Sequence, residues 1–379
     1  MNIPSYIDPR TGRTHPFSEP RWRSDDGGPM MITELPGISR ADIDTTQRSL
    51  WRYRAALPLG IDPVASCGEG CTPLVQRSWG GVKPFFKLEW FNPTCSFKDR
   101  GAAVMVSFLR QIGIDAILED SSGNGGAAIA AAGAAAGVRV KVLAPDSTPA
   151  AKLAQIRAVG AEIELVPGPR QASEDEAIRQ SERIFYASHN WHPFFLQGTK
   201  TIAYELWEDL GFEAPDNVIV PAGAGSNVLG CHIGFMELLA AGQIRRLPRI
   251  FAVQPLNCSP IDAAFQDPQR WQERPVEATI AEGTAIRRPV RLQENIAAVR
   301  GSGGQTVAVP EEQIRNAVRR LARMGLYVEP TSALAAAGLD LLVDQGIVSA
   351  AQRTVVVLTG TGLKSTQFMM DLFGAREAQ

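Results

Sequence analysis

An alternation of short apolar runs, glycine-rich loops and alanine-rich runs constrains this chain most. Asp115 to Asp120 reads as a strand, Ser121-Ser122-Gly123-Asn124-Gly125-Gly126 as a tight loop, Ala127 to Ala136 as a helix and Val138 to Leu143 as the next strand. Two strands joined through a helix run parallel, so the unit implies a parallel sheet with helices on its faces. The alternation continues with helix Ala150 to Val159, strand Glu162 to Val166 and helix Ser173 to Ile184. Beyond these come helix Gly198 to Trp207, strand Asn217 to Val220, helix Val228 to Leu239 and strand Ile250 to Gln254. Helices Glu311 to Met324 and Ser332 to Val343 precede a last strand, Thr354 to Leu358. At 379 residues the chain exceeds one ordinary core, which predicts an α/β protein of two domains or one large unit.

The bulk numbers exclude several function classes. A net charge of −2 gives no electrostatic reason to bind nucleic acid or an anionic membrane surface. No apolar run is long enough to span a bilayer, and the polar, proline-rich start does not read as a signal peptide. Five scattered cysteines, an odd number, suggest neither a disulfide framework nor a zinc site. A reduced, cytoplasmic setting is expected, with no metal. His189 and His192 make only a pair, short of a metal ligand set. Residues 1 to about 50 read as an irregular extension packed on the body of the protein.

Lys98 stands out chemically. It lies in Asn92-Pro93-Thr94-Cys95-Ser96-Phe97-Lys98-Asp99-Arg100-Gly101, after the apolar run Val82 to Trp90 and before the amphipathic run Ala102 to Ile112. A lysine at a helix start faces the positive end of the dipole, which favours loss of its proton. A neutral lysine amine is the species that attacks an aldehyde to form a Schiff base. A surface lysine paired with Asp99 is the plainer alternative.

Two glycine loops add to it. Gly123-x-Gly125-x-x-Ala128, with Asp146 further on, suits a dinucleotide fingerprint and so a nicotinamide dehydrogenase. The acidic approach Glu119-Asp120 would repel a pyrophosphate, and that reading leaves Lys98 unexplained, so we set it aside. Gly223-Ala224-Gly225-Ser226-Asn227 lies between a buried strand and a helix start, where free N–H groups and the helix dipole form an anion site. No Gly-Lys-Ser follows it, so it is no nucleotide phosphate loop.

Ser96-Phe97-Lys98-Asp99-Arg100-Gly101 after Asn92-Pro93-Thr94 resembles the cofactor-lysine motif of the threonine synthase-like family of fold type II pyridoxal phosphate (PLP) enzymes. Gly70-Cys71-Thr72-Pro73-Leu74, the two glycine loops and Thr359-Gly360-Thr361-Gly362-Leu363-Lys364 resemble further segments of that family in the same order. The resemblance implies two domains, each an open, mostly parallel sheet flanked by helices. They would be a large one (51–100 and 200–379) and a small mobile one (101–199). It implies PLP as cofactor, tied to Lys98 as a Schiff base. Asn124 would meet the ring hydroxyl, residues Gly223, Ala224, Gly225, Ser226 and Asn227 the phosphate, and Thr359 the pyridine nitrogen. Ser121, Ser122, Gly123 and Gly125 would hold the substrate carboxylate, with His189 as a further substrate contact. A small amino-acid substrate and a homodimer follow from the same resemblance.

Departures bear on the reaction. Phe195 stands where the family has an arginine for a substrate phosphate, and Gly125 stands where it has a threonine. Pro193-Phe194-Phe195 and Ala281-Glu282-Gly283 are closer to serine and threonine dehydratases. The expected activity is therefore elimination or replacement at the β carbon of a small L-amino acid. The alternatives are a true threonine synthase, with phosphate held by Lys200 or Arg287, and a catalytically silent sensor or partner protein on the same fold.

Overall fold

The computed structural model describes residues 3–374, which fold into two units, each built on a parallel sheet. The first unit comprises the chain through Cys71, then 92–212 and 233–245; the second comprises 72–91, 213–232 and the chain from Arg246 on.

In the first unit four parallel strands stand in the order Glu162–Val166, Arg139–Pro145, Ala116–Glu119, Phe185–Tyr186. Helix Lys98–Gln111 packs on helices Asn124–Ala136 and Pro193–Thr199. Glycines set how close these helices come. A Cβ at Gly198 would lie 2.0 Å from the carbonyl oxygen of Arg100, and one at Gly101 would lie 2.6 Å from the Phe195 ring. The side chain of Arg100 runs into this packing fully buried, donating to Glu205 Oε2 at 2.8 Å and to the Thr201 hydroxyl at 3.3 Å. A buried charge is tolerated only when paired and hydrogen-bonded, and Glu205 also accepts the Cys71 N–H.

In the second unit the sheet order is Thr306–Val309, Arg249–Pro255, Asn217–Pro221, Thr354–Leu358, Phe85–Leu88, Leu74–Gln76. All neighbours are parallel except the last pair. The central strands Asn217–Pro221 and Thr354–Leu358 are buried at every position, as expected where helices cover both faces. Helix Pro330–Asp344, opened by a proline at its first turn, lies on this sheet, and a Cβ at Gly338 would press 2.7 Å from the Val253 methyls.

The βαβ reading holds, with local corrections. The helix after Ser121–Gly123 begins at Asn124, not Ala127, with Gly123 as its cap. The single helix expected from Gly198 is two, Pro193–Thr199 and Thr201–Asp209, meeting at Lys200. The helix expected from Ser173 starts at Arg170. Residues 1–50, expected to be irregular, carry three short antiparallel strands, Tyr6–Ile7, Thr14–His15 and Met31–Ile32. Tyr6 and Met30 enter the core of the first unit. No helix among the described residues is long and apolar enough to cross a membrane.

Candidate active site

Lys98 is the first residue of helix Lys98–Gln111 and is half-buried. The preceding turn is fixed by Asp99, whose carboxylate takes the Thr94 N–H at 2.8 Å and the Thr94 hydroxyl at 2.6 Å. Asn92 accepts the Gly70 N–H at 2.9 Å. Cys95 stands at φ +64°, a conformation that L residues with a side chain rarely adopt. The turn therefore delivers the lysine amine to the helix mouth, where its Nζ lies 4.6 Å from the Phe97 ring centre and 5.6 Å from that of Phe195.

Ser121, Ser122, Gly123, Asn124 and Gly125 follow strand Ala116–Glu119 in the same unit. The loop folds tightly: the Ser121 hydroxyl accepts the Gly123 N–H at 3.4 Å, and a Cβ at Gly126 would meet the Ser121 carbonyl. Gly125 has its own reason to lack a side chain, since a Cβ there would lie 2.6 Å from Cε1 of His189.

His189 is held by Glu119. Its Nδ1 is 2.8 Å from Glu119 Oε1, and its backbone N–H donates to Oε2 at 3.2 Å. Both side chains are buried. Burial pushes the Glu119 carboxyl up to about 8, against a smaller opposing pull from the charge of Lys98. Burial, then the Lys98 charge, keeps the His189 imidazole well below its ordinary value and so neutral. Neighbouring Asp120 is also raised by burial and by Glu119, and accepts from the Tyr186 and Ser188 hydroxyls at 2.8 and 3.2 Å. The acidic pair before the loop is thus a buried hydrogen-bonded network.

In the second unit Gly223, Ala224, Gly225, Ser226 and Asn227 lead from strand Asn217–Pro221 into the 15-residue helix Ser226–Ala240. Gly225 has φ +91°, and a Cβ there would fall on the Asn295 amide. The Asn295 amide nitrogen donates to the carbonyls of Ala224 and Arg291 at 3.0 and 2.8 Å and so braces the loop from outside. Asn227 is 2% exposed, and neither polar atom of its amide has a protein partner. A buried amide in that state at a helix N-terminus suits an anion that supplies the missing hydrogen bonds. Arg291, four residues before Asn295, is buried, its guanidinium lowered to about 10 by desolvation.

Thr359 follows strand Thr354–Leu358 with its hydroxyl 3.1 Å from that of Ser332, which also bonds both backbone groups of Gly360. The residues expected from the sequence divide between the two units. Lys98, Ser121 to Gly125 and His189 belong to the first, and Gly223 to Asn227 and Thr359 to the second. Glu119, Asn295 and Ser332 were not foreseen; each acts by bracing a residue that was. Lys200, considered as a phosphate partner, is committed elsewhere: it is fully buried and donates to Ala56 O at 2.7 Å and Glu237 Oε1 at 2.8 Å.

Residues 65–360 match the family described as pyridoxal-phosphate dependent enzyme. Threonine synthase of Methanocaldococcus jannaschii is 35% identical over 343 residues, 86% of this chain and 83% of its own. Threonine synthase of Mycobacterium bovis is 34% identical over 82% of this chain and 87% of its own. Among solved structures, a fungal L-serine ammonia-lyase from Rhizomucor miehei superposes with a TM-score of 0.68 at 22% identity, covering 81% of this chain and 98% of its own. The processed form of threonine deaminase isoform 2 from Solanum lycopersicum gives 0.67 at 22%, covering 80% and 83%. These two likenesses carry the fold.

Proposed function

The chain belongs to the pyridoxal-phosphate dependent enzymes, and from that premise we propose that it eliminates or replaces a group at the β carbon of a small L-amino acid. Lys98 is the covalent tether of the cofactor. Asn124 would hold its ring hydroxyl, Thr359 its pyridine nitrogen, and Gly223 to Asn227 its phosphate. The unpartnered Asn227 amide at the helix start suits that group. When bound, PLP supplies an aldehyde for the amines and a ring that draws electron density from Cα. A neutral threonine hydroxyl beside the ring nitrogen does not enforce a pyridinium, which suits elimination and replacement more than transamination. The N–H groups of Ser121 to Gly125 and the Ser122 hydroxyl bind the substrate carboxylate, and His189 contacts the substrate. The Lys98 amine, when not holding the cofactor, would take the α-proton as general base.

The observation that carries the choice of β chemistry is the wall beside Lys98: Phe195, fully buried, with its ring 5.7 Å from the His189 ring. Apolar and imidazole surfaces fit a small side chain better than a phosphoester. A second reading, threonine formation from phosphohomoserine, is favoured by the names of the similar enzymes and by Arg170, whose charge acts on Glu119 and His189. Assay of the purified enzyme with phosphohomoserine, O-phosphoserine, threonine and serine decides. Keto-acid or β-replacement product from the last three supports the proposal, and threonine from phosphohomoserine alone overturns it. We further propose a cytoplasmic homodimer, a setting that suits the five free thiols.

A further inference from the structure

We propose that Glu119 and His189 form a proton relay that protonates a departing β-hydroxyl, which makes β-hydroxy amino acids the substrate class of this enzyme. The proposal deepens the β-elimination reading and rests on it. Four observations carry it. Glu119 engages His189 at two points, through Nδ1 and through the backbone N–H, so the imidazole is fixed in place with Nε2 as its remaining nitrogen. The ring lies directly on Gly125, inside the loop assigned to the substrate carboxylate, and only a glycine leaves room for it. The Phe195 ring borders both the imidazole (5.7 Å) and Lys98 Nζ (5.6 Å). The pair is buried where a second acid is of use, because hydroxide is a poor leaving group and must depart as water.

The protons balance. Lys98 takes the α-proton. The electron pair left on Cα forms the Cα=Cβ bond as the Cβ–O bond breaks with its own pair going to oxygen, His189 Nε2 gives its proton to that oxygen, and water leaves. Nδ1 takes the carboxyl proton of Glu119, leaving imidazole neutral and Glu119 a carboxylate. Lys98 has gained one proton and Glu119 has lost one, so the net charge of the protein is unchanged and exchange with solvent resets both. The resting state suits this direction: Glu119 is protonated below pH about 8 and His189 is neutral. The charged groups acting on the pair are Lys98, Arg170 and Asp120, the last also bonded to Tyr186.

The test uses holoenzyme and the near-isosteric Glu119→Gln, with L-serine and β-chloro-L-alanine, whose chloride needs no proton to leave. Loss of a general acid is worth about 10²–10⁴-fold. The variant should lose that factor on serine and at least about tenfold less on β-chloroalanine. Equal losses on both, from a wild type active on both, overturn the relay and leave the β-elimination reading standing. A wild type inactive on both overturns that reading and the relay with it. A second readout does not depend on turnover. In histidine-labelled protein, nitrogen shifts of His189, assigned by their loss in His189→Asn, should report the Nε2–H tautomer at pH 7. They should change to Nδ1–H with a midpoint near pH 8, and Glu119→Gln should abolish the change. A tautomer constant from pH 6.5 to 9.5 in the wild type overturns the proposal.

Discussion

At the scale of single residues, Cys95 shows a cost accepted close to the chemistry. Its φ of +64° costs a residue with a side chain about 1–2 kcal/mol relative to glycine. The entropy that a glycine adds to the unfolded chain returns about 0.4–1 kcal/mol of this. Cys95→Gly is therefore expected to leave stability unchanged or raise it by up to about 1.5 kcal/mol, read as a rise in the urea midpoint at constant slope. Lys98→Ala should remove the covalent attachment: borohydride reduction followed by peptide mapping labels position 98 in the wild type and nothing in the variant. Lys98 was legible from sequence because its turn, helix start and glycines are neighbours along the chain. The Glu119–His189 contact was not, because its partners are 70 residues apart and neither signals the other. The crowding at Gly125 is equally silent in sequence, where a glycine in a loop reads only as a turn.

At the scale of elements, what the chain discloses is what repeats with a period. The strands Asn217–Pro221 and Thr354–Leu358, apolar after their first residue, and the alanine-rich helices were plain. Helix Leu292–Gly301 was not: an arginine precedes it and another sits in its last turn, glutamine, glutamate and asparagine crowd its first turn, and only three dimensions bring it to the glycine loop. Strands Phe185–Tyr186 and Thr306–Val309 are too short for alternation to register. The brace that Asn295 provides gives the loop a testable stiffness. In Gly225→Ala the new methyl meets the Asn295 amide, at a φ of +91° that alone costs about 1–3 kcal/mol in a residue other than glycine. Where that strain falls on the bound form, PLP affinity should drop at least about tenfold, since 1.4 kcal/mol is one decade. Titration of apoenzyme with PLP measures it. Unaltered affinity would remove the loop from the phosphate site.

At the scale of the whole molecule, parallel-sheet architecture follows from the alternation, but the discontinuous make-up of the two units does not. Residues 72–91 join a sheet whose other strands begin at Asn217, a pairing set by tertiary contact. Burying Glu119 and His189 also ties the stability of the fold to pH, with a sign that can be worked out. Glu119 ionises near 4.5 when exposed and near 8 when folded, so over that interval the native state holds a proton that the unfolded chain has lost. Stability therefore falls as pH rises through it, by about 1.4 kcal/mol per pH unit. His189, depressed by burial, acts oppositely: below its ordinary value of 6.5 the unfolded chain gains a proton that the native state refuses, so stability rises with pH up to about 6.5. The two nearly cancel between about 4.5 and 6.5, which leaves a decline from there to about pH 8. Glu119→Gln removes the carboxyl and keeps the shape. Its melting temperature should therefore gain on that of the wild type steadily across the same interval, and level off above it. A difference between the two that is the same at pH 6.5 and pH 8.5 would mean that Glu119 is ionised in the folded protein.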